Sequence, residues 1–216
     1  MSGVKIFVEG GGGTNAEGRG ELRGAFDTLV RTQKQAARAK RMCWDTVFCG
    51  GRSETADEFA KAIKRSDASH IVLLVDAEDV VTSEIPCHPT PSERVLHLLT
   101  RDRWTNQLRL AAPDHVHLMT VCMEAWIVAD AEKLVDYYGK GFRRNALPTR
   151  LMLDEEPKAS LYAALENATK GTSKGTYRKV KHACALLSRV RPNVVANRCA
   201  SFQQLTDWLD AVIGGT

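Results

Sequence analysis

The hydrophobic residues of this chain follow two different spacings along the sequence. Short continuous runs at 4–8, 44–49, 70–75 and 115–121 predict strands that are buried on both faces. Between these runs, hydrophobic residues recur at intervals of three and four positions, which is typical of amphipathic helices. Because strands alternate with helices, the pattern predicts an α/β fold with a mostly parallel sheet flanked by helices.

Two helices are predicted between the first three strands. The first contains Leu22 and extends to about Lys40, with hydrophobic residues on one face and Arg, Gln and Lys on the other. The second extends from Thr55 to about Lys64. Glu58 lies three residues after Thr55, so the spacing predicts a capping box at the start of this helix.

Residues 77–92 contain three prolines and predict a long loop after the third strand. Loops of this length are usually functional or mobile. A helix is expected at 93–100, and Asp130 is the predicted N-cap of a helix that Gly139 ends.

Strand-like runs disappear after residue 140, where only helical spacing remains. Helices are predicted from Pro157 onward, at 179–189 and at 201–212. We therefore expect an α/β core at 1–139 and a helical extension at 140–216 that packs on the core as one compact unit.

Composition narrows the class of protein. With 216 residues, of which 44% are hydrophobic and 26% charged, the chain can form one ordinary core. It contains neither an apolar run long enough to cross a bilayer nor a signal-peptide pattern, so we expect a cytoplasmic protein without a membrane partner. Six cysteines without a Cys-x-x-Cys pair favour reduced thiols.

Charge is distributed unevenly along the chain. Residues 140–198 carry thirteen Lys or Arg against four Asp or Glu, an excess of nine positive charges, so the remainder carries a net charge of −5. A basic stretch suits a polyanion such as DNA or RNA, whereas acidic residues suit a metal ion. The sequence therefore predicts a nucleic-acid partner for the basic part, although a solvated helical surface would have the same composition.

Acidic residues lie where three of the predicted strands end. Glu9 follows the first strand, Asp76 follows the third, and Glu124 lies just beyond the fourth. In an open parallel sheet these ends meet at one edge, so the carboxylates can converge. Glu78 projects on the same side as Asp76 if the backbone stays extended, and Asp79 is a third possible ligand there. These oxygen ligands predict a site for a divalent cation such as Mg²⁺, holding one or two ions.

The glycine run at 10–13 joins the first strand to the first helix. Such turns let backbone N–H groups approach phosphate, which makes Gly10 and Gly11 candidate phosphate-binding residues. The run lacks both the Gly-Lys-Ser/Thr ending of a P-loop and the Gly-x-Gly-x-x-Gly spacing of a dinucleotide site. Glu9 directly before it would repel phosphate unless a cation lay between them.

Val8-Glu9-Gly10 lies at the end of the first predicted strand, and the acidic pair Asp76-x-Glu78 follows a hydrophobic strand. Together they resemble the Toprim pattern of topoisomerases, primases and overcoming-lysogenization-defect nucleases. More closely, the chain resembles a bacterial Toprim-like family, a domain of unknown function often encoded beside an ABC-type or AAA ATPase. The most specific of these segments is Glu-Ala-Trp at 124–126. The others are Val8-Glu9-Gly10-Gly11, Glu21-Leu22-Arg23 with Phe26, the run 73–79, Phe142-Arg143, Pro157-Lys158 and Tyr177-Arg178-Lys179.

The resemblance implies a Toprim sheet and cleavage of phosphodiester bonds with Mg²⁺ or Mn²⁺. It assigns Glu9 as metal ligand or general base, and Asp76 with Glu78 as metal ligands. Toprim proteins usually have aspartate where this chain has Glu78, which leaves the number of bound ions open. It also implies an ATPase protein partner in defence against phage, with this chain as the effector. A homo-oligomer is left open.

Our mechanistic hypothesis is metal-assisted cleavage of a nucleic-acid backbone. Lys179 and Lys181 would neutralise phosphate charge, Glu124 would complete the site or orient a ligand, and His182 would protonate a leaving group. Residues expected to contact the nucleic acid are Arg23, Arg143, Lys158 and Tyr177, the last by stacking on a base. Two alternatives stand beside this hypothesis: a catalytically inactive scaffold subunit that binds an ATPase, and a phosphohydrolase acting on a small nucleotide.

Overall fold

A parallel sheet of four strands forms the centre of the structure. The computed structural model describes residues 2–11 and 16–215. Within them the strands are β1 (Gly3–Gly11), β2 (Cys43–Gly50), β3 (His70–Asp76) and β4 (Val116–Met119). Their order is β2-β1-β3-β4 and all three pairings are parallel. The predicted α/β class and the four predicted strands are therefore confirmed.

Helices cover this sheet and form the whole of the C-terminal part. They are α1 (Ala16–Leu29), α2 (Arg31–Ala39), α3 (Arg52–Arg65), α4 (Pro91–Asp102), α5 (Thr105–Leu108), α6 (Met123–Ala129), α7 (Ala131–Tyr138), α8 (Lys158–Thr169), α9 (Lys179–Leu187), α10 (Pro192–Ala196) and α11 (Ala200–Gly214). Three short 3₁₀ helices lie at Pro113–His115, Arg144–Ala146 and Leu153–Glu155. Among the described helices, none has the length and apolar character of a membrane span.

The strands bury alternate residues on opposite faces of the sheet. Ile6 and Leu74 pack in one cluster with residues of α1, α6, α8, α9 and α11. Phe7 and Leu73 pack in a second cluster with residues of α3, α4 and α5. Both faces of the sheet are therefore covered, as is usual for a parallel sheet, and this explains the continuous hydrophobic runs in the sequence.

Two local predictions for the first helices are wrong. The single helix to about Lys40 is divided, because Val30 leaves the helical region with φ −101° and ψ 31°. The helix expected from Thr55 begins at Arg52, with Gly51 at its N-cap. Thr55 therefore lies in the helix, where its hydroxyl donates to the Gly51 carbonyl at 2.8 Å.

The loop and the later helix starts agree with the sequence predictions. Residues 77–90 contain neither helix nor strand. The capping box predicted for Thr55 and Glu58 does not form; a capping box lies instead at the start of α4, where Thr90 and Glu93 each accept a hydrogen bond from the other's backbone N–H. The Asp130 side chain accepts from Lys133 N–H at the start of α7, and Gly139 ends that helix with φ +67°.

Candidate metal centre

The carboxyl ends of β1 and β3 bring two acidic residues together. Val8 of β1 pairs with Leu74 of β3, so Glu9 lies beside the last residues of β3, which ends at Asp76. The backbone N–H of Asp76 donates to Glu9 Oε2 at 3.1 Å. The pairing of adjacent parallel strands thus places both side chains at one edge of the sheet.

Glu78 joins them through a turn and not through the extended backbone that we predicted. The chain leaves the sheet after Asp76, and Ala77 N–H and Glu78 N–H donate to the carbonyls of Met119 and Val121 at 2.9 and 2.8 Å. The φ of Glu78 is +71°. Residues other than glycine rarely adopt this left-handed backbone conformation, and those that do are often found at functional sites.

The three carboxylates form one compact group. Glu9, Asp76 and Glu78 each contribute an oxygen, and these oxygens all lie within 4.8 Å of one another. No other group of three or more potential ligands was found in the described ranges. Since hard divalent cations prefer carboxylate oxygens, the group is able to hold a metal ion.

Two lysines balance the charge of this group. Lys158 Nζ lies 2.7 Å from Glu78 Oε1 and 3.7 Å from Asp76 Oδ2. Lys179 Nζ lies 3.8 Å from Asp76 Oδ2. Burial disfavours both ammonium groups, but the neighbouring carboxylates outweigh this effect and raise the pKa of each lysine. Each lysine is the first residue of its helix, α8 or α9, so both helices begin at the centre.

Asp76 is the most buried of the three acids, with 3% of its surface exposed. Burial raises its pKa to about 7, with Glu9 and Glu124 adding to the rise and Lys179 and Lys158 opposing it. Glu78 differs because the hydrogen bond and charge of Lys158 outweigh its burial and lower its pKa. The Asp76 Oδ1 accepts the backbone N–H of Met123 at 3.0 Å.

Arg52 is a residue of the centre that the sequence analysis missed. Its Nη1 donates to Glu9 Oε2 at 3.1 Å and also to the Asp76 carbonyl oxygen. Arg52 follows Gly50 and Gly51 at the carboxyl end of β2, which neighbours β1. That position was a signal for its presence, because β2 ends at the same edge of the sheet.

Glu124 lies behind Lys179, outside the group of three carboxylates. It is fully buried on α6; its Oε1 accepts the Tyr177 hydroxyl at 3.0 Å, and its Oε2 is 3.6 Å from Lys179 Nζ. This arrangement suits a residue that orients Lys179. Helix α6 was not predicted because all seven of its residues are buried, which removes the amphipathic pattern.

Tyr177 does not occupy the exposed loop position that would allow stacking on a base. Only 3% of its surface is exposed, so its ring has little area to offer a nucleic acid. Its hydroxyl contacts Glu124 because a buried carboxylate requires hydrogen-bond donors. The predicted base contact by Tyr177 is therefore wrong.

Two other predicted residues lie apart from the carboxylates. The Asp79 side chain is 79% exposed and lies 3.8 Å from Arg101 Nε, so it is not a third ligand of the group. Lys181 is exposed and donates to the Lys174 carbonyl at 3.3 Å. Residues two positions apart on a helix point about 200° from each other, which separates Lys181 from Lys179.

His182, which was predicted to protonate a leaving group, is buried. It is 1% exposed, accepts the Arg178 N–H at Nδ1 at 3.0 Å, and lies 5.7 Å from the Tyr138 ring centroid. Burial lowers its pKa, with Lys181 also contributing. These contacts put its ring in the core, so it is poorly placed to protonate a leaving group.

The remaining predicted phosphate contacts have different positions. Arg23 on α1 and Arg143 before the second 3₁₀ helix are exposed. Gly10 and Gly11 both pair with Gly50, forming a bulge at the end of β1, and Gly10 has a φ of +144° that suits glycine. Gly12 and Gly13 lie outside the described residues.

A groove of about 750 Å³ adjoins the carboxylates. It lies between the loop after β3 and the start of α8. Its lining residues are Glu78, Asp79, Val80, Pro157, Lys158, Ala159 and Tyr162. Glu78 is one of the three carboxylates and Lys158 is its ion-pair partner, and both residues also line the groove. A molecule bound in the groove would therefore lie directly beside the carboxylate group.

Comparison with known families gives one match. The profile of the family described as Domain of unknown function (DUF4276) matches residues 8–210, which include every residue of the candidate centre. Neither a curated protein nor a solved structure matches the chain significantly.

Proposed function

The chain belongs to the DUF4276 family, and we propose that it is a metal-dependent nuclease that cleaves phosphodiester bonds in DNA or RNA. The observation that carries the proposal is the convergence of Glu9, Asp76 and Glu78, whose oxygens lie within 4.8 Å of one another beside two lysines. Carboxylates from adjacent strand ends with nearby cations suit the transfer of a charged phosphoryl group.

The donor set fits Mg²⁺ or Mn²⁺. Both are hard cations that bind carboxylate oxygens and retain water ligands. When bound, such an ion supplies activation of water and stabilisation of the leaving oxygen. Glu9, Asp76 and Glu78 would hold the ion, while the Asp76 backbone N–H keeps the Glu9 carboxylate in place at 3.1 Å.

Lys158 and Lys179 are the residues best placed to contact the scissile phosphate. Lys158 lines the groove beside Glu78, and Lys179 Nζ lies 3.8 Å from Asp76 Oδ2. Both have raised pKa values and remain protonated at neutral pH. Their ammonium groups would bind the nonbridging phosphate oxygens and stabilise the negative charge that develops on them.

An exposed set of basic residues, here called the basic surface, supports a polymeric substrate. Arg143 N–H donates to the Ala168 carbonyl at 2.9 Å, and Lys181 Nζ donates to the Lys174 carbonyl, so the segments that carry these residues adjoin one another. The exposed members are Lys140, Arg143, Arg144, Lys170, Lys174, Arg178 and Lys181. Several cations on one surface favour a nucleic acid, which carries a charge on every nucleotide.

The decisive experiment compares cleavage of plasmid, single-stranded DNA and total tRNA with and without Mn²⁺. We expect the wild type to cleave at least one of them only with metal, and Glu9→Gln and Asp76→Asn to be inactive. Asp45→Asn is the matched control, because Asp45 lies in β2 and pairs with Lys5, away from the carboxylate group. Equal cleavage rates in wild type, Glu9→Gln and Asp76→Asn would refute the proposed nuclease function.

The biological setting is part of the same proposal. The resemblance to the Toprim-like family implies an effector of anti-phage defence, controlled by an ABC-type or AAA ATPase partner. We place the protein in the cytoplasm, where its six free thiols would stay reduced. Purification from the native host with quantitative mass spectrometry tests the partner, and the proposal requires an ATPase to copurify. Size-exclusion chromatography with light scattering tests for a homo-oligomer.

One observation favours a catalytically inactive scaffold subunit that binds the ATPase. Basic side chains of the chain itself already pair with the carboxylates, since Lys158 lies 2.7 Å from Glu78 and Arg52 lies 3.1 Å from Glu9. Such pairs could replace a metal permanently. Calorimetric titration separates the two functions, because a scaffold would bind neither Mg²⁺ nor Mn²⁺ at millimolar concentration.

The groove favours a second alternative, a phosphohydrolase acting on a small nucleotide. Its volume of about 750 Å³ exceeds the space that one nucleotide needs. Salt separates this function from a nuclease: binding of a polymer to several cations weakens steeply as salt rises, whereas binding of a mononucleotide changes little.

A further inference from the structure

The Arg52 side chain is fixed by an unusually complete set of contacts. Its Nε and Nη2 donate to the two oxygens of Asp102 at 2.8 and 2.7 Å, which is a bidentate ion pair. Its guanidinium also lies over the Trp104 ring, 4.9 Å from the centroid. Both Arg52 and Asp102 are mostly buried. These contacts fix the guanidinium so that Nη1 points toward Glu9.

Nη1 bonds to the carboxylate and to the backbone of the centre at once. It donates to Glu9 Oε2 and to the Asp76 carbonyl, while the Asp76 N–H donates to the same Glu9 oxygen. Glu9 Oε2 therefore receives two donors. These donors hold the carboxylate in one orientation, within 4.8 Å of the ligand oxygens of Asp76 and Glu78.

Charge favours a positioning role over direct contact with substrate. An isolated guanidinium beside three carboxylates would repel a metal ion, but Arg52 pairs with Glu9 and with both oxygens of Asp102. Asp102 Oδ1 also accepts Arg101 Nη1 at 2.8 Å, so Asp102 links two arginines. Arg52 uses its donor groups on Asp102, Glu9 and Asp76. We infer that Arg52, held by Asp102, is a positioning residue that orients Glu9 for metal binding; this inference rests on the proposed metal-dependent function.

The test measures Mn²⁺ affinity, by the electron paramagnetic resonance signal of free Mn²⁺, together with thermal unfolding of the metal-free protein. The variants are Arg52→Lys, which keeps the charge but loses the planar fork, and Asp102→Asn, which removes the neutralising charge. The control is Arg191→Lys, because Arg191 forms an equivalent bidentate pair with Asp130 at 2.8 Å in another part of the fold.

We expect Arg52→Lys and Asp102→Asn each to weaken Mn²⁺ binding by about tenfold or more, as is typical when a residue behind a metal ligand is changed. Arg191→Lys should bind Mn²⁺ within about twofold of wild type. All three variants can lose thermal stability, so stability alone does not reveal the role; only the two variants at the centre should lose metal affinity.

Each other result has a distinct meaning. Folded Arg52→Lys and Asp102→Asn that bind Mn²⁺ as wild type does would overturn the positioning role while leaving the proposed function intact. If neither Arg52→Lys nor Asp102→Asn folds, the ion pair is purely structural and the positioning role is overturned as well. If only one of them unfolds, the Mn²⁺ affinity of the folded variant tests the positioning role. A wild type that binds no Mn²⁺ would refute the proposed function and this inference together.

Discussion

Lys158 and Glu78 are 80 positions apart in the sequence, yet Lys158 Nζ lies 2.7 Å from Glu78 Oε1. The contact joins the first residue of α8 to the turn after β3. Lys158 therefore occupies space close to the place where a bound cation would meet the same carboxylate.

Because Lys158 and a metal ion compete for Glu78, removing the lysine should tighten metal binding. We expect Lys158→Met to bind Mn²⁺ about two- to fivefold more tightly than wild type, the range for a partly exposed ion pair. Cleavage should decrease at the same time, since phosphate loses a cationic contact. Calorimetry and the plasmid assay measure the two effects.

Lys170→Met is the control, because Lys170 is exposed at the other end of α8 and bonds to Asn167. Its Mn²⁺ affinity should equal that of wild type. Unchanged or weaker metal binding by Lys158→Met would show that the lysine supports the ligands and does not compete with metal.

The basic surface should determine how binding of a nucleic acid responds to salt. Arg143→Gln and Lys181→Gln are each expected to weaken polymer binding and to reduce the slope of log affinity against log salt by about one. Fluorescence anisotropy of a labelled oligonucleotide from 50 to about 300 mM salt measures this. Mn²⁺ affinity should stay constant, and salt slopes equal to wild type would remove these residues from the interface.

Loss of the hydroxyl should change the free energy of unfolding differently at two buried tyrosines, Tyr177 and Tyr138. Tyr177→Phe removes the hydrogen bond that the buried Glu124 Oε1 accepts from the Tyr177 hydroxyl, and should lower the free energy of unfolding by about 1–3 kcal/mol. The Tyr138 hydroxyl is buried and has no partner in the described part of the chain. Tyr138→Phe should therefore be neutral or stabilising.

Urea denaturation of the two variants at pH 7 tests this pair. Both changes remove one oxygen from a buried ring, so the comparison isolates the hydrogen bond. A Tyr177→Phe protein as stable as Tyr138→Phe would mean that the Tyr177 contact with Glu124 contributes nothing to folding.

His117 should make the protein sensitive to acid. Burial lowers its pKa to about 3, with the charge of Arg94 adding to this effect. Between about pH 6.5, where the histidine titrates in the unfolded chain, and pH 3, the unfolded chain binds a proton that the folded protein excludes. The stability due to neutral His117 is thus complete above pH 6.5 and is lost as pH falls.

The expected contribution is about 1.4 kcal/mol of unfolding free energy per pH unit within this window. His117→Gln removes the titrating group, so its stability should fall less steeply than that of wild type between pH 6 and 4. Chemical denaturation at several pH values gives both curves. Parallel curves would assign the acid sensitivity to other residues.

The sequence was sufficient to predict the meeting of Glu9 with Asp76. Buried parallel strands produce continuous hydrophobic runs, and the residues after such runs lie at one edge of the sheet. Glu78 was assigned to the same group for an incorrect reason: the structure brings it there through a left-handed turn. A single residue with that backbone conformation leaves little trace in a hydrophobic pattern.

Arg52 and Tyr177 show what the sequence pattern could not supply. The position of Arg52 after β2 places it at the same edge of the sheet, but a charged residue at a helix start is usually solvated, so this position does not reveal the contact with Glu9. Tyr177 lies between exposed basic residues, but its hydroxyl reaches a carboxylate 53 positions earlier. Both positions depend on packing between distant segments, which local spacing does not encode.

Helices α8 and α9 each begin with a lysine that reaches the acidic edge of the sheet. A nascent chain of only the first 139 residues therefore contains the three carboxylates, which repel one another, and Arg52, but neither lysine. During synthesis the electrostatic balance of the centre must wait for the last third of the chain. A nascent protein truncated at that point would hold an acidic edge with too few positive charges.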